Sequence, residues 1–217
     1  MTAARLHLLA QAALCFEQAG QLREAARCRE KAGELVAAAG LFRAAGDLQQ
    51  AAACFHRAGR TADAVACLLA LGRPRQAADL WTQADAPLEA AWVLAVDARE
   101  PQAARRLLAG CTPAGRGEQL RLRLAAALCG ALERRPEPLV TVLREVEDQL
   151  AAVAPASEQD RLTRWAVQAA DQLGRPDLAA QVFAAAYRCR LRGTVGRWRE
   201  WARPALGGTA GIPEREL

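Results

Sequence analysis

Lysine is almost missing from this chain: Lys31 is the only one in 217 residues, so arginine carries nearly all of the 29 basic charges that outnumber 24 Asp and Glu. The bias looks like the codon usage of a GC-rich bacterial genome and separates no functional classes. Histidine is scarce as well. His7 and His56 both fall in segments that read as structural helix, and neither belongs to a nucleophile, phosphate-loop or HExxH pattern. His56, at a repeat position that elsewhere carries Gln, Arg and Glu, reads as a surface residue. The expectation is a protein that is not an enzyme, with no catalytic residue and no cofactor. Close cysteine pairs are missing too. Seven cysteines are present, but the nearest are thirteen residues apart, whereas structural zinc sites use closely spaced pairs. They read as buried, reduced residues in small core positions, with no metal. Long apolar runs are also absent. The 52% hydrophobic content is rich in alanine, and no stretch approaches the roughly 18 uninterrupted apolar residues of a membrane span. The opening MTAARLHLLAQAALCFEQAG is interrupted by Gln11 and Glu17, which argues against a signal peptide and for a cytoplasmic location.

What the chain has is a period. Gly20, Gly33, Gly46, Gly59 and Gly72 stand thirteen residues apart, and self-similarity at a fixed interval marks a tandem array. From Leu8 the units read LLAQAALCFEQAG, QLREAARCREKAG, ELVAAAGLFRAAG, DLQQAAACFHRAG, RTADAVACLLALG, RPRQAADLWTQAD, APLEAAWVLAVDA and REPQAARRLLAGC. The fifth position is always alanine: Ala12, Ala25, Ala38, Ala51, Ala64, Ala77, Ala90 and Ala103. The ninth is bulky and apolar in Phe16, Phe42, Phe55, Leu68, Trp81, Leu94 and Leu107, with Arg29 the exception. The eighth holds Cys15, Cys28, Cys54 and Cys67.

Each unit predicts one short helix and one turn, because Ala, Leu, Gln, Glu and Arg favour helix and apolar residues recur at positions two, five, nine and twelve. The closing Ala-Gly pair fits a helix ending on a residue of positive φ, where glycine carries no Cβ penalty. In later units Asp85 and Ala98 replace the glycine, and Pro74, Pro87 and Pro101 open the next helix, where proline loses no intrahelical bond. About ten helical residues rise roughly 15 Å, too short to be stable alone in water, so stacked neighbours must supply the stability. The small alanine column lets helix axes approach, and the bulky column fills the space between layers.

The rhythm of AACFHRAGRTADAVACLLALG, residues 52–72, resembles tetratricopeptide-like helical repeats, closest to the short-hairpin solenoids of coat and transport-complex subunits. The resemblance covers residues 8–111 and again 157–192. It implies an all-α fold, a right-handed α-α solenoid of short antiparallel helix hairpins. It also implies a concave face that binds peptides or protein surfaces and no chemistry of its own.

Beyond Cys111 the stretch TPAGRG reads as a loop. Helices are expected over 118–134 and 137–153, separated by RRPEP, and Ser157 with Asp160 signals the start of a third. Glu145, Glu147 and Asp148 read as a solvated face. The segment LGRPDLAAQVF at 173–183 repeats LGRPRQAADLW at 71–81, and Thr194 to Arg203 adds a short capping helix. The organisation read from sequence is therefore an array over 1–111, a loop over 112–117, longer hairpins over 118–203 and a flexible tail over 204–217.

Function rests on surface positions. In the array, Arg43, Arg57 and Gln83 lie between the structural columns and are candidate partner contacts. Near the end, Arg188, Arg190, Arg192, Arg197, Arg199 and Arg203 face Glu200 alone in the sequence and are interleaved with Trp198 and Trp201. Three readings apply. The tryptophans cap the last hydrophobic layer under solvated arginines; the segment meets an acidic protein, since Trp and Arg are favoured hot-spot residues; or arginines hold phosphates while the rings stack on bases. The main expectation is a non-catalytic protein-protein interaction scaffold or adaptor, one subunit of a larger assembly. A nucleic-acid-binding accessory protein and a regulatory partner of an NTPase are the alternatives.

Overall fold

Ten helical residues and a three-residue turn make up the thirteen-residue unit. In the computed structural model, which describes residues 3–207, α1 spans Ala3–Gln18, α2 Leu22–Lys31, α3 Leu35–Ala44, α4 Leu48–Arg57, α5 Thr61–Ala70, α6 Pro74–Gln83 and α7 Pro87–Val96. Then follow α8 at Pro101–Leu108, α9 at Arg116–Leu132, α10 at Glu137–Gln149, a 3₁₀ turn at Leu150–Ala152, α11 at Ala156–Gln172, α12 at Pro176–Arg188 and α13 at Thr194–Leu206. The protein is all-α, with no strand among the described residues. Two compact units divide the chain, up to Val93 and from Leu94.

In the first unit each of α1 to α5 packs on the next, a solenoid-like succession. The turn chemistry dictates this. After α3, Gly46 takes φ +77° and donates its N–H to Arg43 O, while Asp47 N–H reaches back to Phe42 O at 2.8 Å. This is the Schellman pattern, which satisfies carbonyls that the end of a helix leaves free. Asp47 is also the N-cap of α4, its Oδ1 accepting from Gln50 N, so one residue closes one helix and opens the next. The same pair of bonds recurs at Gly20, Gly33, Gly59 and Gly72, and Asp85 adopts the left-handed conformation without glycine.

The fifth-position alanines from Ala25 to Ala90 are all buried, and so is the sixth position: Ala26, Ala39, Ala52, Val65, Ala78 and Ala91. Paired small residues, more than a single column, therefore let the short helices approach. Phe42, Phe55 and Leu68 of the ninth column are buried, whereas Trp81 is half-buried. Arg29, the exception in that column, is tied down by two carboxylates: its guanidinium meets Glu34 at 2.6 Å and Glu17 at 3.0 Å. Hydrogen bonds to Glu34 and then Glu17 push its pKa further up, so a charge stands where a phenylalanine would, fully partnered.

The strict period ends after α7. Helix starts at Leu22, Leu35, Leu48, Thr61, Pro74 and Pro87 are thirteen apart, but α8 begins at Pro101, one residue late. Positive φ falls on Arg99 and not on Ala98. The expected columns shift with it: Ala103 and Leu107 are only half-buried, and Ala104 and Leu108 take the core positions.

The second unit is built differently. α9 packs on α8, α10 and α11, α12 on α10 and α11, and α13 on α12. Leu124, Leu128, Leu139, Leu143, Leu150 and Leu162 are fully buried. At its centre Arg121, only 2% exposed, donates from Nε to Glu158 Oε1 at 2.6 Å and lies 4.8 Å from the Trp165 ring centre. A Cβ at Gly117 would come within 2.4 Å of Glu158 Cγ and 2.8 Å of Val153 Cγ1, so glycine is what lets α11 deliver that carboxylate. α11 begins at Ala156, which leaves Ser157 inside its first turn and not at the cap position. α13 runs past Arg203, through Pro204, to Leu206, into the stretch expected as tail; residues 208–217 lie outside the described residues.

Candidate functional site

In the array the three candidate contacts are all exposed and sit on α3, α4 and α6. Arg43 stretches across α4 with its guanidinium 5.6 Å from the Phe55 ring centre, close enough for a cation–π contact. Arg57 forms an ion pair with Glu30 on α2. Gln83 ends α6. No hydrogen bond or ion pair joins the three, and they occupy neighbouring exposed repeat positions, the tenth for Arg43 and the eleventh for Arg57 and Gln83, and not one cluster.

The arginine-rich end is better organised. α12 closes on a Schellman turn in which Arg190, at φ +54°, donates to Tyr187 O and Leu191 to Ala186 O. Gly193, at φ +76°, then caps α13, and the buried Thr194 hydroxyl donates to Leu191 O at 2.7 Å. These bonds fix the turn between the two helices. Around it lies a shallow concavity of about 680 Å³ lined by Tyr187, Arg188, Arg190, Leu191, Gly193, Thr194 and Val195.

Sequence spacing alone does not tell which side chains of this end are free. Trp198 is 3% exposed and packs edge-on against Phe183 at 5.4 Å between ring centres. Trp201, half-buried, lies 5.5 Å from Phe183 and 5.4 Å from Trp198, and its Nε1 donates to Asp171 Oδ1 at 2.8 Å. Trp198 is thus a core residue and offers no contact surface, and Trp201 is engaged on its polar edge. Burial pushes the Asp171 carboxyl up, against the lowering effect of the Trp201 hydrogen bond. Arg197 donates to Asp160 at 2.6 Å, with its Nε and Nη2 buried and unbonded. Arg188 pairs at 3.6 Å with Glu147. The remaining four, Arg190, Arg192, Arg199 and Arg203, are exposed, and none of them forms an ion pair among the described residues. Asp160, Glu147 and Asp171 shape this end, yet they come from distant parts of the sequence and carried no local signal.

A second concavity, about 670 Å³, lies between the start of α9 and α10. Its charged groups satisfy one another: Arg116 Nε donates to Gln149 Oε1, Gln149 Nε2 to Glu145 Oε1, and Arg123 also meets Glu145. A satisfied network of this kind holds helices together and leaves little for a ligand.

The cysteine column is less uniform than the sequence suggests. Cys54, Cys67 and Cys129 are buried, Cys28, Cys111 and Cys189 half-buried, and Cys15 exposed; all seven are free thiols. Burial pushes the Cys54, Cys67 and Cys129 thiols up, which keeps them protonated and poor nucleophiles. Among the described residues no three His, Cys, Asp or Glu side chains gather so as to hold a metal ion, and no helix is long and apolar enough to cross a membrane. No protein-family model, curated protein or solved structure matches the chain.

Proposed function

We propose that this protein is a non-catalytic binding scaffold, an adaptor subunit that holds a protein partner within a larger assembly. The observation that supports this reading is the division of labour inside the thirteen-residue units of α2 to α5. Positions five and six are small and buried, and the turn glycine closes the helix. Positions such as Arg43, Arg57 and Gln83 remain exposed and carry no part of the core. Residues released from packing are the ones a repeat protein adapts to a partner. The resemblance to tetratricopeptide-like solenoids points the same way, since that class binds peptides and protein surfaces.

The location we propose is the bacterial cytoplasm. Seven free thiols suit a reducing compartment, and the arginine-for-lysine bias suits a GC-rich genome.

The test is purification of the tagged protein from its native host at moderate salt, with and without nuclease, followed by mass spectrometry. The expected result is a protein partner at fixed stoichiometry that survives nuclease. Recovery of nucleic acid, with every associated protein lost after digestion, would overturn the scaffold reading in favour of a nucleic-acid accessory role.

A further inference from the structure

In the array several basic side chains meet acids: Arg27 with Glu24, Arg29 with Glu17 and Glu34, Arg57 with Glu30, and Arg60 with Asp63, while Arg5 and Arg23 stand singly without an ion pair. At the chain's other end Arg188 and Arg197 are paired, but four unpaired arginines fall within fourteen residues. Arg190 and Arg192 lie on the turn before α13, and Arg199 and Arg203 lie on its exposed side with Glu200 as the one acid between them; none of the four arginines forms an ion pair among the described residues. The inner side of the same helix, Thr194, Trp198 and Ala202, is buried. One helix therefore anchors itself through Trp198 and its small neighbours and exposes Arg199 and Arg203, with Glu200, to solvent.

We infer that the turn between α12 and α13, together with the outer side of α13, is a docking surface for an acidic protein segment. The inference rests on the scaffold reading and names the partner's chemistry. Arg199 and Arg203 are four residues apart on one helical face, roughly 6 Å along the axis. Carboxylates two residues apart on an extended chain are spaced by roughly 6.6 Å, so alternate acidic residues of one strand-like segment match them. Guanidinium forks take carboxylates in paired hydrogen bonds.

Nucleic acid is the poorer fit, for a reason visible in the rings. Binders of single strands stack bases on open aromatic faces. Here Trp198 is buried, and Trp201 is packed against it and Phe183, with its indole N–H committed to Asp171.

The test uses the full chain, a short labelled polyglutamate peptide and a labelled single-stranded oligonucleotide of equal charge, with binding read by fluorescence anisotropy near physiological salt. Two charge-reversed proteins are compared with the parent: R190E/R192E/R199E/R203E, and a control that reverses Arg5, Arg23, Arg106 and Arg144, which are exposed elsewhere and equally unpaired. Both change net charge equally, and circular dichroism checks that both stay helical. The expected result is a loss of peptide affinity of about tenfold in the first variant and less than about twofold in the control. Equal losses in both, no binding by the parent, or tighter binding of the oligonucleotide than of the peptide would each overturn the proposal. Copurification of a stoichiometric partner by both variants would show that the scaffold reading stands while this surface is not the one used.

Discussion

Residues 3–93 bury alanine where residues 94–207 bury leucine and valine. Of the largest fully buried side chains among the described residues, all but Cys54 belong to the second unit. In the first unit, helices of ten residues approach through paired small residues, and α1 to α6 pack in sequence order. In the second, longer helices enclose a volume, and α9 and α12 each contact two others among α10 and α11. The first unit thus depends on repetition: every turn is closed by the same backbone bonds and every layer is thin. The second depends on particular residues, among them a glycine that makes room and a buried arginine that must be partnered. A thin layered array has few bulky side chains to lose, so each one matters more; a filled core is sensitive to added volume instead.

The comparison breaks most readily at Phe55. It is 4% exposed, one of the few large side chains between the alanine layers, and Arg43 lies over its ring. Phe55→Ala should cost about 3–5 kcal/mol, read from urea unfolding followed by circular dichroism. A loss no larger than that of a surface substitution would show that the layers are held by alanine contacts alone. In the second unit the corresponding change is an addition. Gly117→Ala would force apart Glu158 and Val153 and disturb the acceptor of buried Arg121, costing about 1–3 kcal/mol as overpacking does. If melting is unchanged, α11 can shift freely and the pair at the centre of the unit is not tightly held.

Smaller effects sharpen the account of the turns, and one pair of substitutions should differ in sign. Gly46 has φ +77° and open space around it, while Gly40 lies within α3 at an ordinary helical φ with nothing within 4 Å of a Cβ. Gly46→Ala should cost about 1 kcal/mol, because the left-handed conformation penalises a side chain. Gly40→Ala should gain about 0.5–1 kcal/mol from helix propensity. Thermal melts of the two variants beside the parent decide it, and equal shifts would mean that the thirteen-residue glycine is not chosen for its backbone.

Much of this was legible from the sequence, and the reason is local. A Schellman turn is determined by about six consecutive residues, so Gly20 to Gly72 announced their conformation and with it the helix boundaries of the first unit. The alanines of the fifth column were legible for the same reason. What was not legible depended on distant partners. The extra residue that moves positive φ to Arg99 has no glycine to mark it, so Ala103 was expected where Ala104 is buried. Nothing in RLRLAAAL distinguishes Arg121, which is buried against Glu158, from Arg123, which is exposed and pairs with Glu145. Trp198 and Trp201 carry the same local pattern, and only their packing against Phe183 and Asp171 shows that neither is a free stacking surface. The arginines of this end were legible as a basic run, but which of them stay unneutralised followed from Glu147 on α10 and Asp160 on α11.

The smallest expected effect concerns a pair at the start of α12, where a charge-assisted fork takes the place of the side-chain cap seen at Asp47. Arg175 Nε donates to Asp177 Oδ1 at 2.8 Å and Nη2 to Oδ2 at 2.6 Å. The hydrogen bond from Arg175 lowers the Asp177 carboxyl to about 2, below the ordinary value near 4. A depressed carboxylate stabilises the fold above its unfolded pKa, and that contribution is lost as pH falls towards about 2, through the interval between the two values. Both side chains are open to solvent, so the effect on stability is slight, but the titration itself is measurable. In an NMR pH titration of the side-chain carboxyl, Asp177 should titrate near 2, and Arg175→Ala should return its midpoint to about 4. A midpoint that stays low in the variant would assign the shift to the helix N-terminus, where backbone N–H groups favour the charged form.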